Sequence, residues 1–161
     1  MSKKRVYYIT IYSNQDQAIK ETFRQNHKNI LVDCNINTIY VFHETFKKAC
    51  GFPDYYGMNQ MAFEESLTQD TYHIHDGNDL GLNLVLSNID SFFAESEADF
   101  PDYLHLIFGC MRILNSDAIF GTTWDRYALD CRLGIVARQP QTIEKIEKVV
   151  NSLNDDEDDV N

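Results

Sequence analysis

Residues 72–79, YHIHDGND, set two histidines beside two aspartates and so invite a metal reading. His73 and His75 would share one side of an extended segment, and Asp76 or Asp79 would add an oxygen donor. No third ligand of matching spacing accompanies the two histidines, so a polar loop lip is the preferred reading. Nucleophilic chemistry requires a thiolate beside a base. His105 stands five residues before Cys110, which places the two on different faces of a helix. No phosphate-binding loop, dinucleotide fingerprint or Gly-x-Ser-x-Gly turn occurs. These residues predict no enzyme, no cofactor and no metal.

A different chemistry is written in residues 51–67, GFPDYYGMNQMAFEESL, where paired tyrosines, two methionines and three acids sit around an internal glycine. Pro53 suits the first turn of a helix. Wound at about 100° per residue, residues 54–68 put Tyr56, Gln60, Phe63 and Leu67 on one face, to be buried. Asp54, Met58, Met61 and Glu65 fall opposite, flanked by Tyr55, Asn59, Ala62 and Ser66. Apolar side chains between charges make a docking surface, and tyrosine is a frequent hot spot. The alternative is an ordinary helix with two exposed methionines.

The elements that must position this stretch are legible around it. Residues 5–12, RVYYITIY, read as a strand. Ser13 or Asn14 can cap a helix to about Asn26, with Ala18, Ile19 and Phe23 on one face. Asn29 to Cys34 is a second strand. Thr38 caps a helix carrying Ile39, Phe42, Phe46 and Ala49, which stops near Gly51 ahead of Pro53. Residues 82–89, LNLVLSNI, form a buried strand. The acidic run Glu95, Glu97, Asp99 and Asp102 opens a helix that becomes strongly apolar from Pro101 to Leu114. These acids are a solvated face, or a rim of the docking surface if the helix lies beside Glu65. Trp124 anchors a loop onto the core, near Asp125 and Asp130. Arg132 to Ala137 is a last strand, and Thr142 to Leu153 an amphipathic helix. The expected fold is α/β, a small sheet of three or four mainly parallel strands packed with helices. Residues 1–153 form one domain and residues 154–161 a disordered acidic tail.

The chain has 161 residues and a formal net charge of -11. Five acids lie in residues 154–161, leaving about -6 for the body before them. Such a surface disfavours nucleic acid, whose phosphates seek cations. It favours solubility, or a cationic partner reached by steered encounter. The four cysteines, Cys34, Cys50, Cys110 and Cys131, are scattered and read as small buried hydrophobes. No apolar run reaches the roughly 18 residues of a membrane span, and the N-terminus is too short and polar in its apolar part for a signal peptide. A soluble cytoplasmic protein is expected.

Residues 52–68, FPDYYGMNQMAFEESLT, resemble the signature of the barstar family, small intracellular inhibitors of secreted ribonucleases. The shared elements are the proline and following acid, Tyr55-Tyr56-Gly57, Asn59, and the apolar–acid–acid–x–Leu ending. Residues 30–52 continue the resemblance backward without a gap, with Ile39, Phe42, His43, Thr45 and Phe46 at corresponding positions. Later elements agree in order, giving a family-like core of about residues 30–138. The strand and helix before Asn29 and the helix after Arg138 look like additions.

The resemblance implies an inhibitor whose second helix and preceding loop plug a nuclease active site, an acid taking the place of a substrate phosphate. Tyr55, Gly57, Asn59 and Thr68 match family positions near the partner. Glu65 stands where the family has its phosphate-mimicking aspartate, one methylene longer. Three positions depart: Met61 replaces the family's other helix acid, while Glu64 and Asp70 replace tryptophans. The implied partner is therefore a different, cognate nuclease toxin, of the polymorphic or contact-delivered kind, held in a 1:1 complex by an otherwise monomeric immunity protein. The docking residues would be Asp54, Tyr55, Gly57, Met58, Asn59, Met61, Glu64, Glu65 and Thr68. The alternative is a barstar-like interaction module for a non-nuclease partner.

Overall fold

Four short runs rich in β-branched and aliphatic residues pair as parallel strands in a computed structural model, which describes residues 8–70, 81–115 and 131–160. Strand β1 (Ile9–Tyr12) leads to helix α1 (Gln15–Thr22), strand β2 (Lys28–Asp33) and helix α2 (Ile39–Cys50). Helix α3 (Gln60–Glu65) runs into a π-helical turn (Ser66–Asp70), followed by strand β3 (Leu82–Ser87). A 3-10 turn (Ile89–Ser91), helix α4 (Asp99–Leu114), strand β4 (Leu133–Val136) and helix α5 (Pro140–Val160) complete the order. The sheet order is β1-β4-β3-β2, all parallel. β3 lies at its centre and is buried along its whole length, as a strand covered on both faces must be.

Alternation along the strands sends side chains to two faces. Ile30, Val32, Leu84, Leu86, Leu133 and Ile135 join the main core with Phe42 and Phe46 of α2, Phe63 of α3, Leu104 and Phe108 of α4 and Ile146 of α5. Val85 and Val136 point the other way, against Ala18 of α1. Gly134 lets α1 close on β4, for a Cβ there would stand 2.5 Å from Thr22 Oγ1. Helix α5 is tied to α4 by Lys145, whose Nζ sits 5.3 Å from the Phe100 ring centroid. Its start is held by Asp90, which accepts from the Arg138 and Gln139 backbone N–H groups.

Several boundaries differ from expectation for local reasons. α1 is capped by Asn14, which accepts from Gln17 N–H, and ends at Thr22 rather than near Asn26. Asn29 captures the chain beyond it through both the N–H and the carbonyl of Arg24. β3 stops at Ser87 because Asn88 turns left-handed (φ 55) and donates to Asp33. The acidic residues 154–160, expected to be disordered, continue α5 to Val160; extending a nucleated helix fixes only one residue per hydrogen bond.

The largest correction concerns residues 53–59, expected as helix. Pro53 instead accepts from Tyr56 N–H in a turn, Met58 has φ 55, and helix begins only at Gln60. The residues around Tyr72–Asp79 and Trp124–Asp130, with their metal, loop-lip and anchor readings, lie outside the described residues.

Candidate docking surface

Helix α2 sets the site's foundation. Thr38 caps it by accepting from Val41 N–H, and Gly51 ends it left-handed at φ 71, a conformation glycine adopts without strain. Phe42, His43 and Phe46 are buried along one side. Phe42 and Phe46 stack on Phe63 at 5.0 and 5.1 Å between ring centroids, fixing α3 over α2.

The chain then divides its two adjacent tyrosines. Tyr56 is 6% exposed and packs on Phe52, with its hydroxyl 2.5 Å from His43 Nδ1. Burial holds the tyrosine above its usual range, reinforced by Cys110, Cys50 and Tyr103. Burial also pushes the His43 imidazole below its ordinary value. Both groups are therefore neutral near pH 7, and a single hydrogen bond between two neutral groups joins the hydroxyl to Nδ1. His43 Nε2 is buried with no hydrogen-bond partner. Tyr55, one residue earlier, is 81% exposed. The buried ring thus anchors the loop that presents the exposed one. His43 carries no sign of this role in the sequence beyond its place on an apolar helix face.

Asn59 closes the loop. Its side chain accepts from Ala62 N–H at 2.8 Å and donates to the Gly57 carbonyl at 3.2 Å. Among the expected docking residues, Asp54, Tyr55, Gly57, Asn59, Met61, Glu64 and Glu65 are exposed. Met61 is 85% exposed. Met58 is half-buried and packs against the core. Thr68 is 4% exposed in this structure, its hydroxyl donating to the Glu64 carbonyl. The π turn brings Ser66, Leu67 and Thr68 inside consecutively, so Ser66 is buried where a regular wheel left it on the flank, and Gln60 is exposed where the wheel buried it.

Glu64 and Glu65 make no ion pair among the described residues. Glu97 and Asp102 line a cleft between α4 and α5 together with Lys145 and Lys148, so these two acids face α5. Asp99 accepts from the Ser96 hydroxyl. The four cysteines are buried and unpaired in disulfides. Burial pushes Cys50 up to about 12, and Cys34 and Cys110 higher still, which keeps these thiols protonated and unreactive. The described residues contain no group of three potential metal ligands. No helix among them is long and apolar enough to cross a membrane.

A pH test follows from His43. Unfolded, the imidazole takes up a proton near its ordinary 6.5; folded, it resists until lower pH. The unfolded chain therefore binds more protons in that window, and stability falls as pH drops through it. Phe42, Tyr56 and Tyr103 surround the ring and supply no compensating anion. Urea midpoints should agree above about pH 7 and decline toward about pH 5. A flat midpoint across that range would contradict the assignment.

The arrangement is an exposed acidic pair and two exposed apolar side chains on a capped, core-anchored segment. A family model described as Barstar (barnase inhibitor) matches residues 28–118, more than half of the chain. The chain belongs to the barstar family. The match spans β2 through α4 and so contains the whole loop and helix just described; β1, α1, β4 and α5 fall outside it. No individually curated protein matches the chain. Barstar-family proteins are inhibitors rather than enzymes, and the role this membership carries is that of a ribonuclease-inhibitor-like interaction protein.

Proposed function

We propose that this barstar-family chain is an immunity protein acting in the cytoplasm, which binds a cognate ribonuclease toxin domain one to one and occludes its cationic active site with α3. The observation that carries this reading is the exposed Glu64–Glu65 pair, whose side chains have no partner among the described residues and which shares α3 with the exposed Met61. A ribonuclease gathers cations to hold RNA and stabilise a charged transition state. Carboxylates presented on a preorganised helix exploit the same field, hastening encounter and blocking substrate. Glu65 would engage the cationic centre, and Tyr55 and Asn59 would orient the helix.

The test is titration of the full chain into a panel of purified ribonuclease toxin domains, reading RNA cleavage at two salt concentrations. Stoichiometric inhibition that weakens with salt is expected. Absence of both inhibition and a complex on a sizing column would overturn the reading. Tyr55→Ala should weaken binding about 10- to 100-fold without changing the circular-dichroism spectrum or thermal midpoint, because the ring is exposed in the free chain. Loss of folded signal in this variant would instead make Tyr55 a structural residue.

A further inference from the structure

Met61 has no role in the fold. It is 85% exposed and is absent from the core to which Ala62 and Phe63 of the same helix contribute. The thioether stands ready to bury apolar area against a partner. Single exposed hydrophobes are common and need no explanation. Met61, however, lies three and four residues before Glu64 and Glu65 in one helix, which puts all three on the same side about one turn apart. Asn59 clamps the start of that helix to Ala62 N–H and the Gly57 carbonyl, so the spacing is set before any partner arrives. Tyr55, the other strongly exposed apolar side chain in this segment, precedes the same clamp.

Any surface that receives Glu65 must therefore cover Met61. A cation set directly on Met61 would lose water against a thioether that cannot pair it, while Glu64 and Glu65 hold their charge one turn away. An apolar pocket there would gain from a soft, unbranched side chain that adapts to its walls. We propose that the partner carries an uncharged apolar pocket one helical turn from its cationic centre, and that Met61 fills it. The inference rests on the reading that Glu65 meets that centre. It specifies a two-part target, in which charge supplies encounter and the methionine pocket supplies selection among ribonucleases.

The probe is a purified ribonuclease toxin domain from the same panel, titrated calorimetrically with the full chain and its Met61→Leu, Met61→Ala, Met61→Asp, Met61→Lys and Glu65→Gln variants. Met61→Leu should bind within about 3-fold of the parent and Met61→Ala about 10-fold more weakly. Aspartate and lysine should each weaken binding by roughly 30-fold or more, since an apolar pocket rejects either sign. All Met61 variants should keep the parent's thermal midpoint. A Met61→Asp variant that binds as tightly as the parent, or more tightly, would place a cation or solvent at that position and overturn the pocket. A silent Met61 series beside a weakened Glu65→Gln refutes this inference alone. A parent chain that does not bind, or a fully competent Glu65→Gln, refutes the reading beneath it and the pocket together.

Discussion

Replacing Glu65 by arginine is expected to weaken the complex with the ribonuclease domain by about 4 kcal/mol, some 1000-fold, and to leave the thermal midpoint of the free chain unchanged. Glu65 is the last residue of α3, is exposed, and has no internal hydrogen bond or ion pair among the described residues. Nothing among the described residues pairs with its charge. In the proposed complex this position would be desolvated against cations, so reversal would place like charges together where water no longer screens them. Glu65→Gln, which removes the charge and keeps the shape, should fall between the parent and the arginine variant. Added salt should narrow the gap between Glu65→Gln and the parent, because screening reduces the long-range part of the attraction. Competition titration with the arginine variant decides the matter; a fully competent Glu65→Arg protein would remove this residue from the centre of the interface.

The surface was readable in the sequence where one side chain decides its own environment, and unreadable where the backbone decides. Thr38 and Gly51 bracket α2 as expected because each satisfies a helix end by itself. Tyr56 and Phe63 were expected inside, and are. The residues from Pro53 to Asn59 mislead because a proline followed by periodic apolar residues is also what a helix start looks like. What breaks the pattern is a left-handed Met58, a conformation that no local signal assigns to methionine. The irregular loop then frees Tyr55 from helical register, so Tyr55 stands far out while its neighbour turns in. The π turn is equally silent in sequence, since an inserted residue shifts register without changing composition. It is the reason that Thr68, a candidate contact by resemblance, lies beneath the surface while Glu64 and Glu65 stay on it. His43 was legible as a family-matching position but its role was not, because that role depends on a tyrosine 13 positions away, and only tertiary packing joins them.

The added elements have a clear physical place even though they lie outside the family match. β1 pairs with β4 and extends the sheet on the side away from β2. α1 covers Val85 and Val136 on the face opposite the main core, and α5 packs against α4. None of these contacts involves the loop from Pro53 to Asn59. They extend the sheet and add a helix to each of its faces.

That scaffold converges on Phe42, and Phe42→Ala should cost about 3–5 kcal/mol of stability. The ring is fully buried. Its centroid lies 4.8 Å from Phe46, 5.0 Å from Phe63, 4.7 Å from Tyr103, 6.2 Å from Phe92 and 6.4 Å from Phe93. One side chain therefore joins α2 to α3, to α4 and to the turn after β3. Truncation removes both the apolar transfer energy and the packing of rings around the resulting cavity, which a set of rigid aromatics cannot easily collapse to fill. A domain of ordinary stability holds only about 5–15 kcal/mol, so the thermal midpoint should fall by roughly 10 °C or more. The loss should not be even. α3 has six residues, too few to be helical without tertiary contacts, and Phe63 is its buried anchor. Hydrogen exchange in α3 should therefore accelerate more than in β3, and affinity for the ribonuclease domain should drop although Phe42 is far inside the contact surface. Urea denaturation with exchange read residue by residue measures both effects. A variant within about 1 kcal/mol of the parent, or one whose β3 amides open before those of α3, would show that the docking helix is held by something other than this aromatic cluster.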